Sequence, residues 1–375
     1  MNTHNGPALN PTGSSPKRRR DGSNLKMMKK RIPQSTLFWA LAIAIPIATV
    51  VSTQLWLRSA YSGHVFNLQG FLGQYDFGIF RYRLLGRDAM LFIYRHLLRF
   101  FHDRPFDVPY DPNATLLFYA SYVLLNASCF SLSNFLLLLL LADRNRRLGD
   151  VNLATYFYLT LMQALAMAVV SPYDQLAYLF LLMGFFSMAV SRGWVAYLVL
   201  AFAAIAGALT RETQFLVTPA LFSVALFAAP GRSKRFWTAG FCNLVLFSLV
   251  YCALRVFIPG PIAVTGEWTY GGKWAIESAC VLAMLLFVGT SLALRIHADI
   301  RPTIALLLFS TPYILTVLTT GTLRELRLLV PVLLAQTFVY LSLAKINPAQ
   351  RPINTQGDRP GIDRLDTEAV DAGGN

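Results

Sequence analysis

Charged residues are scarce in this chain: Asp, Glu, Lys and Arg make up 14% of its 375 residues, whereas hydrophobic residues make up 55%. A soluble domain averages about 25% charged residues, so this composition argues against an ordinary soluble enzyme. The apolar residues are gathered in long runs, and a helix needs about 20 of them in a row to cross a membrane. The sequence therefore predicts an all-α, multi-pass membrane protein.

Cysteine and histidine are also few, with four and five copies respectively. The cysteines, at positions 129, 242, 252 and 280, all fall inside predicted spans, which argues against a disulfide framework or a zinc site. The histidines show no metal-ligand spacing, and the chain lacks Walker A, Gly-x-Gly-x-x-Gly and Gly-x-Ser-x-Gly motifs. We therefore predict neither a metal site nor a cofactor.

Hydropathy predicts a transmembrane helix bundle of about ten spans over residues 37–344, with nine or eleven spans as alternatives. The predicted spans are 37–57, 114–141, 151–170, 175–191, 194–210, 214–229, 236–258, 274–294, 303–321 and 328–344. Residues 1–31 and 346–375 are rich in Pro, Gly and polar residues, a composition that predicts disordered tails.

Basic residues outnumber acidic ones by 33 to 19. They concentrate in the N-terminal tail and in alternate later loops, at residues 144–147, 192, 232–235 and 295–301. By the positive-inside rule these segments and both termini are cytoplasmic, in an inner or plasma membrane. The positive charge thus reflects topology and contact with membrane lipids. No nucleic-acid motif accompanies the charge, and no nucleic-acid partner is predicted.

The first outer loop, residues 58–113, contains an unusually polar stretch, "GQYDFGIFRYRLLGRDAM". Asp76 lies in its "GQYDFG" portion, where two glycines favour a turn. From Arg87 to Asp103 the polar and apolar residues occupy opposite halves of a helical wheel. This periodicity predicts an amphipathic helix in the outer membrane interface, with its apolar face in lipid. We place Asp103 itself in the solvated end of the loop.

Three tight outer turns also carry charges, although ionisable groups inside a membrane cost up to about 2.5–3.5 kcal/mol and usually face a cavity or a partner. The charges in the turns "SPYDQL", "LTRETQF" and "TLRELRLLVP" are Asp174, Arg211, Glu212, Arg324, Glu325 and Arg327. The first loop adds Asp76, Arg81, Arg83 and Asp88. Together they predict a polar cavity at the outer membrane boundary. Local ion pairs or side chains reaching to the surface are the alternative, and for Arg255 we prefer the surface.

Carboxylates and arginines together suit the transfer of a sugar from a lipid phosphate. The guanidinium group binds phosphate oxygens bidentately. A carboxylate accepts a proton from an attacking hydroxyl or stabilises an oxocarbenium-like sugar. We therefore take the arginines of the loop and turns as candidate donor-binding residues, together with Asp174, Glu212 and Glu325.

A many-span chain with an acid and an amphipathic helix in its first outer loop resembles the GT-C class of membrane glycosyltransferases. The turns "YDQLAYLF", "LTRETQFL" and "LRELRLLVP" are similar to those of bacterial polytopic proteins of that build, and the resemblance spans most of residues 37–344. The resemblance implies a polyprenyl-phosphate-linked sugar as donor. It implies Asp76 as the catalytic base, with Asp88 as second choice.

Two other classes of protein remain open. A transporter or lipid flippase places its binding groups near the midplane on broken helices, whereas the charges here gather at helix ends. A non-catalytic subunit of an envelope-assembly complex would keep the same fold without needing Asp76.

Overall fold

The computed structural model describes residues 34–56, 66–76, 78–108, 111–142, 150–167, 171, 173–191, 193–258, 299–320 and 326–346. This part of the chain is mostly helical and contains no named strand. Its α-helices, in chain order, are α1 (Gln34–Trp39), α2 (Ile45–Trp56), α3 (Leu68–Gly73), α4 (Leu84–Leu98), α5 (Leu116–Leu141), α6 (Asp150–Ala166), α7 (Asp174–Val190), α8 (Trp194–Ala208), α9 (Val217–Phe227), α10 (Pro230–Phe257), α11 (Arg301–Phe309), α12 (Thr311–Thr320) and α13 (Val330–Ile346).

Three helical stretches among the described residues are long and apolar enough to cross a membrane, judged by length and composition. They are Thr36–Thr53, Leu116–Leu141 and Pro230–Phe257. Shorter apolar helices of 10–17 residues occupy four more predicted spans. The predicted span 274–294 lies outside the described residues. The helical class is thus confirmed, whereas the number of spans stays a prediction.

The first span is interrupted by a π-helical segment, Ala40–Ala44, between α1 and α2. Pro46 lies two residues after this segment, and a proline has no N–H to donate to the carbonyl four residues earlier. Widening of the helix just before a proline is one way to accommodate that loss. The Tyr156 hydroxyl of α6 donates to the Leu41 carbonyl at 2.6 Å, so this irregular turn keeps a hydrogen bond.

Helix α7 is the central helix of the bundle. Most of its residues are buried, because it packs against α5, α8 and α13 on different sides. The rings of Phe185 and Phe338 stack there with centroids 4.5 Å apart. A helix that is apolar all round needs such an enclosed position.

Contacts between helix termini define two ends of the bundle. At the end that we call the site end, the Leu85 amide donates to the Leu209 carbonyl at 3.1 Å. This hydrogen bond joins the start of α4 to the end of α8. At the opposite end, the basic end, Arg235 of α10 donates to the Met188 and Ser191 carbonyls at the end of α7.

The first loop does contain the predicted helix, but α4 begins and ends earlier than expected, at Leu84–Leu98 rather than 87–103. Its buried residues Met90 and Tyr94 belong to one apolar cluster with Phe118 of α5. The expectation that the apolar face rests in lipid is therefore wrong for these residues, because that side packs on α5. The interfacial position of α4 stays a prediction.

Asp103 is a second correction, since it is not a solvated loop residue. Its carboxylate accepts hydrogen bonds from the Leu117 amide, the Arg104 amide and the Tyr94 hydroxyl at 2.9–3.0 Å. These bonds tie α4 to the first turn of α5, where backbone N–H groups lack partners within the helix. Asp103 therefore holds α4 and α5 together, a role that the residues around it in the sequence did not indicate.

Candidate functional site

Charged side chains from four separate segments converge at the site end. Arg83 immediately precedes α4, and Asp174 is the first residue of α7. Arg211 and Glu212 lie between α8 and α9, and Arg327 lies in the short 3-10 turn before α13. The tight turns place these charges at helix ends, as the sequence predicts, and helix packing brings them together.

Asp174 is the centre of the buried part of the site. One carboxylate oxygen forms an ion pair with Arg211, and the other lies 3.4 Å from Nη1 of Arg327. All three side chains are at most 6% exposed. Buried charges persist only when they are paired, because removing an ion from water costs several kcal/mol. Asp174 also gains from its place in the first turn of α7, where the helix dipole favours a negative charge.

Two tyrosines fix the turn that presents Arg327. The Tyr178 hydroxyl donates to the Arg327 carbonyl at 2.7 Å, and the Tyr313 hydroxyl donates to the Leu328 carbonyl at 2.9 Å. These bonds satisfy two carbonyls next to the start of α13. They also hold the guanidinium of Arg327 toward Asp174.

Arg83 connects the first loop to this buried group. Its Nη2 lies 3.5 Å from the Glu212 carboxylate, and its guanidinium carbon lies 4.7 Å from the centre of the Tyr173 ring. The Arg83 side chain is 4% exposed and that of Glu212 is 28% exposed. Close approach of α4 is possible because Gly86 has no side chain: a Cβ there would lie 2.8 Å from Cβ of Tyr173.

Arg255 of α10 does not extend freely to the surface, which corrects the expectation from the sequence. Its guanidinium carbon lies 3.5 Å from the centre of the Tyr82 ring and 4.4 Å from that of Tyr251. It also donates to the Tyr251 hydroxyl at 2.9 Å. Cation–π contacts of this kind prefer arginine, and here they join α10 to the first loop.

Asp76 lies in the first loop, seven positions before Arg83. It closes the 3-10 turn Gln74–Asp76 with an exposed side chain, and its backbone carbonyl accepts a hydrogen bond from Arg81. The preceding residue, Tyr75, is buried and packs edge-on against Phe71 at 5.2 Å. The turn is therefore anchored by Tyr75 and presents Asp76 outward.

Asp88 lies on the outward side of α4, where its carboxylate is 2.8 Å from Nε of Arg87. No contact among the described residues joins the Asp76 or Asp88 carboxylate to the buried group around Asp174. Arg324 and Glu325 lie outside the described residues.

Gln214 is a candidate that the sequence reasoning missed. Its side chain is buried, and neither amide atom has a hydrogen-bond partner within the described part of the chain. Gly207 makes room for it, because a Cβ at that position would lie 2.6 Å from the Gln214 side chain. The sequence feature that could have pointed to Gln214 is its position two residues after Glu212 in the charged turn "LTRETQF". A buried amide without hydrogen-bond partners lowers the stability of the folded protein by about 1–3 kcal/mol. A polar ligand that formed hydrogen bonds with Gln214 would remove this cost.

Cationic side chains outnumber acidic ones among the described residues of the site. Three guanidinium groups, those of Arg83, Arg211 and Arg327, contact the carboxylates of Asp174 and Glu212 in a largely buried region. Interactions between charges are strong in such a region because water screens them little. The arrangement is therefore suited to an anionic ligand that carries hydrogen-bonding groups.

Nowhere in the described ranges do three or more His, Cys, Asp or Glu side chains form a group that could hold a metal ion. No family model, curated protein or solved structure matches the chain. Function must accordingly be argued from the chemistry of the site.

Proposed function

We propose that this protein is an integral membrane glycosyltransferase of the GT-C type. It transfers a sugar from a polyprenyl-phosphate donor to an envelope acceptor on the outer face of the membrane, with both termini in the cytoplasm. The contact between Arg83 and Glu212 carries this proposal. It links the loop that bears Asp76 to the buried arginines, although the two residues are 129 positions apart in the chain.

The arginines bind the donor phosphate in this proposal. Arg211 and Arg327 are already paired with Asp174, so they supply positive potential and a fixed frame. Arg83 is the arginine best able to take a new partner, because its Glu212 contact is long and its Nε has no partner among the described residues. A bidentate guanidinium–phosphate contact is stronger than such a pair.

Asp76 is the general base in this proposal. Its exposed carboxylate can accept the proton of an acceptor hydroxyl that arrives from outside. Asp88 is less suited to that task, because it is already paired with Arg87. Glu212 keeps Arg83 in place until the donor phosphate arrives.

Donor binding tests the phosphate contact. Purified protein in lipid nanodiscs is incubated with a polyprenyl phosphate or with the matching polyprenol, and native mass spectrometry measures the bound fraction of each. We expect the phosphate to be preferred, and Arg83→Lys to weaken its binding about tenfold, since lysine keeps the charge but loses the planar fork. Arg104→Lys, at an exposed arginine of the same loop, is the matched control. Equal binding of both lipids by the wild-type protein would contradict the proposal.

Asp76→Asn tests catalysis separately. It keeps the size of the side chain and removes the proton acceptor, so we expect turnover to fall about 10²–10⁴-fold with little change in protein level. The measurement is rescue of envelope glycans in a deletion strain, analysed by mass spectrometry, with Asp107→Asn, at an exposed acid of the same loop, as control. Full rescue by Asp76→Asn together with intact phosphate binding would favour a transporter, a flippase or a non-catalytic subunit.

A further inference from the structure

A second polar site lies on the outward side of α4, apart from the buried arginines. It is an open cleft of about 580 Å³. Its lining combines three arginines, a histidine, one acid and apolar side chains: Leu72, Arg87, Asp88, Leu91, Phe92, Arg95, His96 and Arg99. The cleft belongs to the first loop alone and takes no residue from the site around Asp174.

The charges of the cleft are only partly compensated. Asp88 is paired with Arg87 at 2.8 Å. Arg95 and Arg99 are exposed, and neither has an acidic partner in the part of the chain that the structure describes. They lie four residues apart, so they sit about 6 Å apart along the same helix face. Two guanidinium groups at that spacing can contact the oxygens of one phosphate.

The surroundings of the cleft are apolar and exposed, which favours a lipid over a free anion. Phe92 is 71% exposed, and Phe100 and Phe101, just after α4, are 69% and 59% exposed. Phe92 also stacks on His96 with ring centroids 6.0 Å apart, so the apolar and polar parts form one surface. Helices that combine arginines with exposed aromatic rings bind at the headgroup level of membranes, with the rings among the acyl chains.

We propose that this cleft binds the headgroup phosphate of an anionic phospholipid. Arg95 and Arg99 contact the phosphate, and the three phenylalanines insert beside the acyl chains. The bound lipid fixes the depth of α4 in the interface, and hence the depth of Arg83, which immediately precedes the helix. This role requires a membrane surface but does not depend on the glycosyltransferase activity.

Lipid titration of the purified full-length protein tests the proposal. Detergent-solubilised protein is titrated with phosphatidylglycerol or with phosphatidylcholine, and native mass spectrometry counts the lipids retained. A basic residue near an anionic membrane surface contributes about 1 kcal/mol, or about fivefold in affinity. We therefore expect Arg95→Gln/Arg99→Gln to weaken retention of phosphatidylglycerol about thirtyfold and that of phosphatidylcholine, whose choline cation cancels the phosphate charge, much less.

The matched control is Arg232→Gln/Lys234→Gln, which removes two charges at the basic end and should leave the α4 site intact. Should the double α4 variant fail to fold, Arg99→Gln alone gives the same test with an expected fivefold change. Unchanged retention of phosphatidylglycerol would overturn the proposal. Displacement of phosphatidylglycerol by millimolar inorganic phosphate would also overturn it, because the cleft would then bind a free anion.

Discussion

The two ends of the helix bundle both hold cationic side chains, but they hold them with different partners. At the basic end, Arg235 donates to backbone carbonyls at the end of α7, at 2.6 and 3.2 Å. Lys345 of α13 donates in the same way to the Leu140 carbonyl at 2.9 Å. At the site end, Arg83 and Arg211 contact carboxylates instead.

This difference favours a structural use of charge at the basic end and, under the proposed function, a ligand-binding use at the site end. The last carbonyls of a helix lack partners and carry a partial negative charge, so a cation placed there completes the helix. A carboxylate carries a full charge on a side chain, and another anion can compete with it for the same arginine. We infer that the basic end stabilises the bundle, whereas the site end can exchange partners.

The largest expected effect is that of Asp174→Asn, because it removes the carboxylate shared by the buried ion pairs of the site end. It leaves Arg211 and Arg327 buried without their common carboxylate, and removing one partner of a buried ion pair costs about 3–5 kcal/mol. Thermal unfolding of the purified protein in detergent measures the loss. Asp88→Asn, at an exposed pair, should cost at most about 1 kcal/mol. Similar melting temperatures for the two variants would mean that the buried pairs of Asp174 contribute no more to stability than the exposed pair of Asp88.

The next largest effect is expected for Asp103→Asn. It should lower the free energy of unfolding by about 1.5–3 kcal/mol, the range for hydrogen bonds to a charged group. Burial alone raises the pKa of Asp103. Hydrogen bonds from the Leu117 amide, the Thr115 and Tyr94 hydroxyls and the Arg104 amide outweigh burial and lower this pKa below its ordinary value of 3.8.

This lowered pKa makes the contribution of Asp103 depend on pH. Because the pKa is lower in the folded state, the stabilisation is complete above pH 3.8 and is lost as the pH falls through the folded-state pKa. Unfolding followed between pH 6 and pH 3, roughly the range over which such carboxylates titrate, should therefore show a smaller acid sensitivity in Asp103→Asn. Asp107→Asn, at an exposed neighbour, serves as control and should resemble the wild type.

Gly86→Ala tests whether the site end needs the close packing of α4 against Tyr173. The new Cβ would lie 2.8 Å from Cβ of Tyr173, so the helix must shift, and overpacking of this kind costs about 1–3 kcal/mol. Gly73→Ala is the matched control, because nothing lies within 4 Å of its Cβ. We expect lower thermal stability and weaker binding of polyprenyl phosphate in Gly86→Ala alone. Loss of binding in both variants would point to a general effect on the loop.

The smallest effect is expected at the basic end. Arg235→Gln removes the cation at the end of α7 and should cost about 0.3–1 kcal/mol, the usual contribution of a charge near a helix terminus. Lys234→Gln, at its exposed neighbour, should cost less. Neither change should alter binding of polyprenyl phosphate, which a titration of both variants would show. A specific loss of phosphate binding in Arg235→Gln would contradict the separation of the two ends.

The helices were predictable where apolar residues run without interruption. The predicted span 114–141 corresponds to α5, Leu116–Leu141, because nothing in that segment competes with the helix. The end of α4 was less predictable. Its polar periodicity continues to residue 103, but Asp103 turns back to bind the start of α5, a contact 14 residues along the chain.

The sequence predicted which turns carry charges, but not which of those charges meet: Asp76 and Asp88 have no described contact with the group around Asp174. A charge in an apolar chain needs a partner, and this rule alone singled out the turns with Asp174 and Arg211. Which acid meets which arginine depends on how helices pack, since Asp174 and Arg327 are 153 positions apart in the chain. Arg83 gave no local sign of burial, since Gly86 and Tyr173 create its environment.

The contact between Arg83 and Glu212 also bears on how the protein is made. The two residues are 129 positions apart. A ribosome adds about 5–20 residues per second, so Arg83 is synthesised roughly 6–26 seconds before its partner. After Asp174, the ribosome must add 153 further residues before Arg327 is part of the chain. The buried group is therefore complete only after residue 327 has been synthesised, and a nascent chain stopped before that residue leaves Asp174 with one of its two arginines.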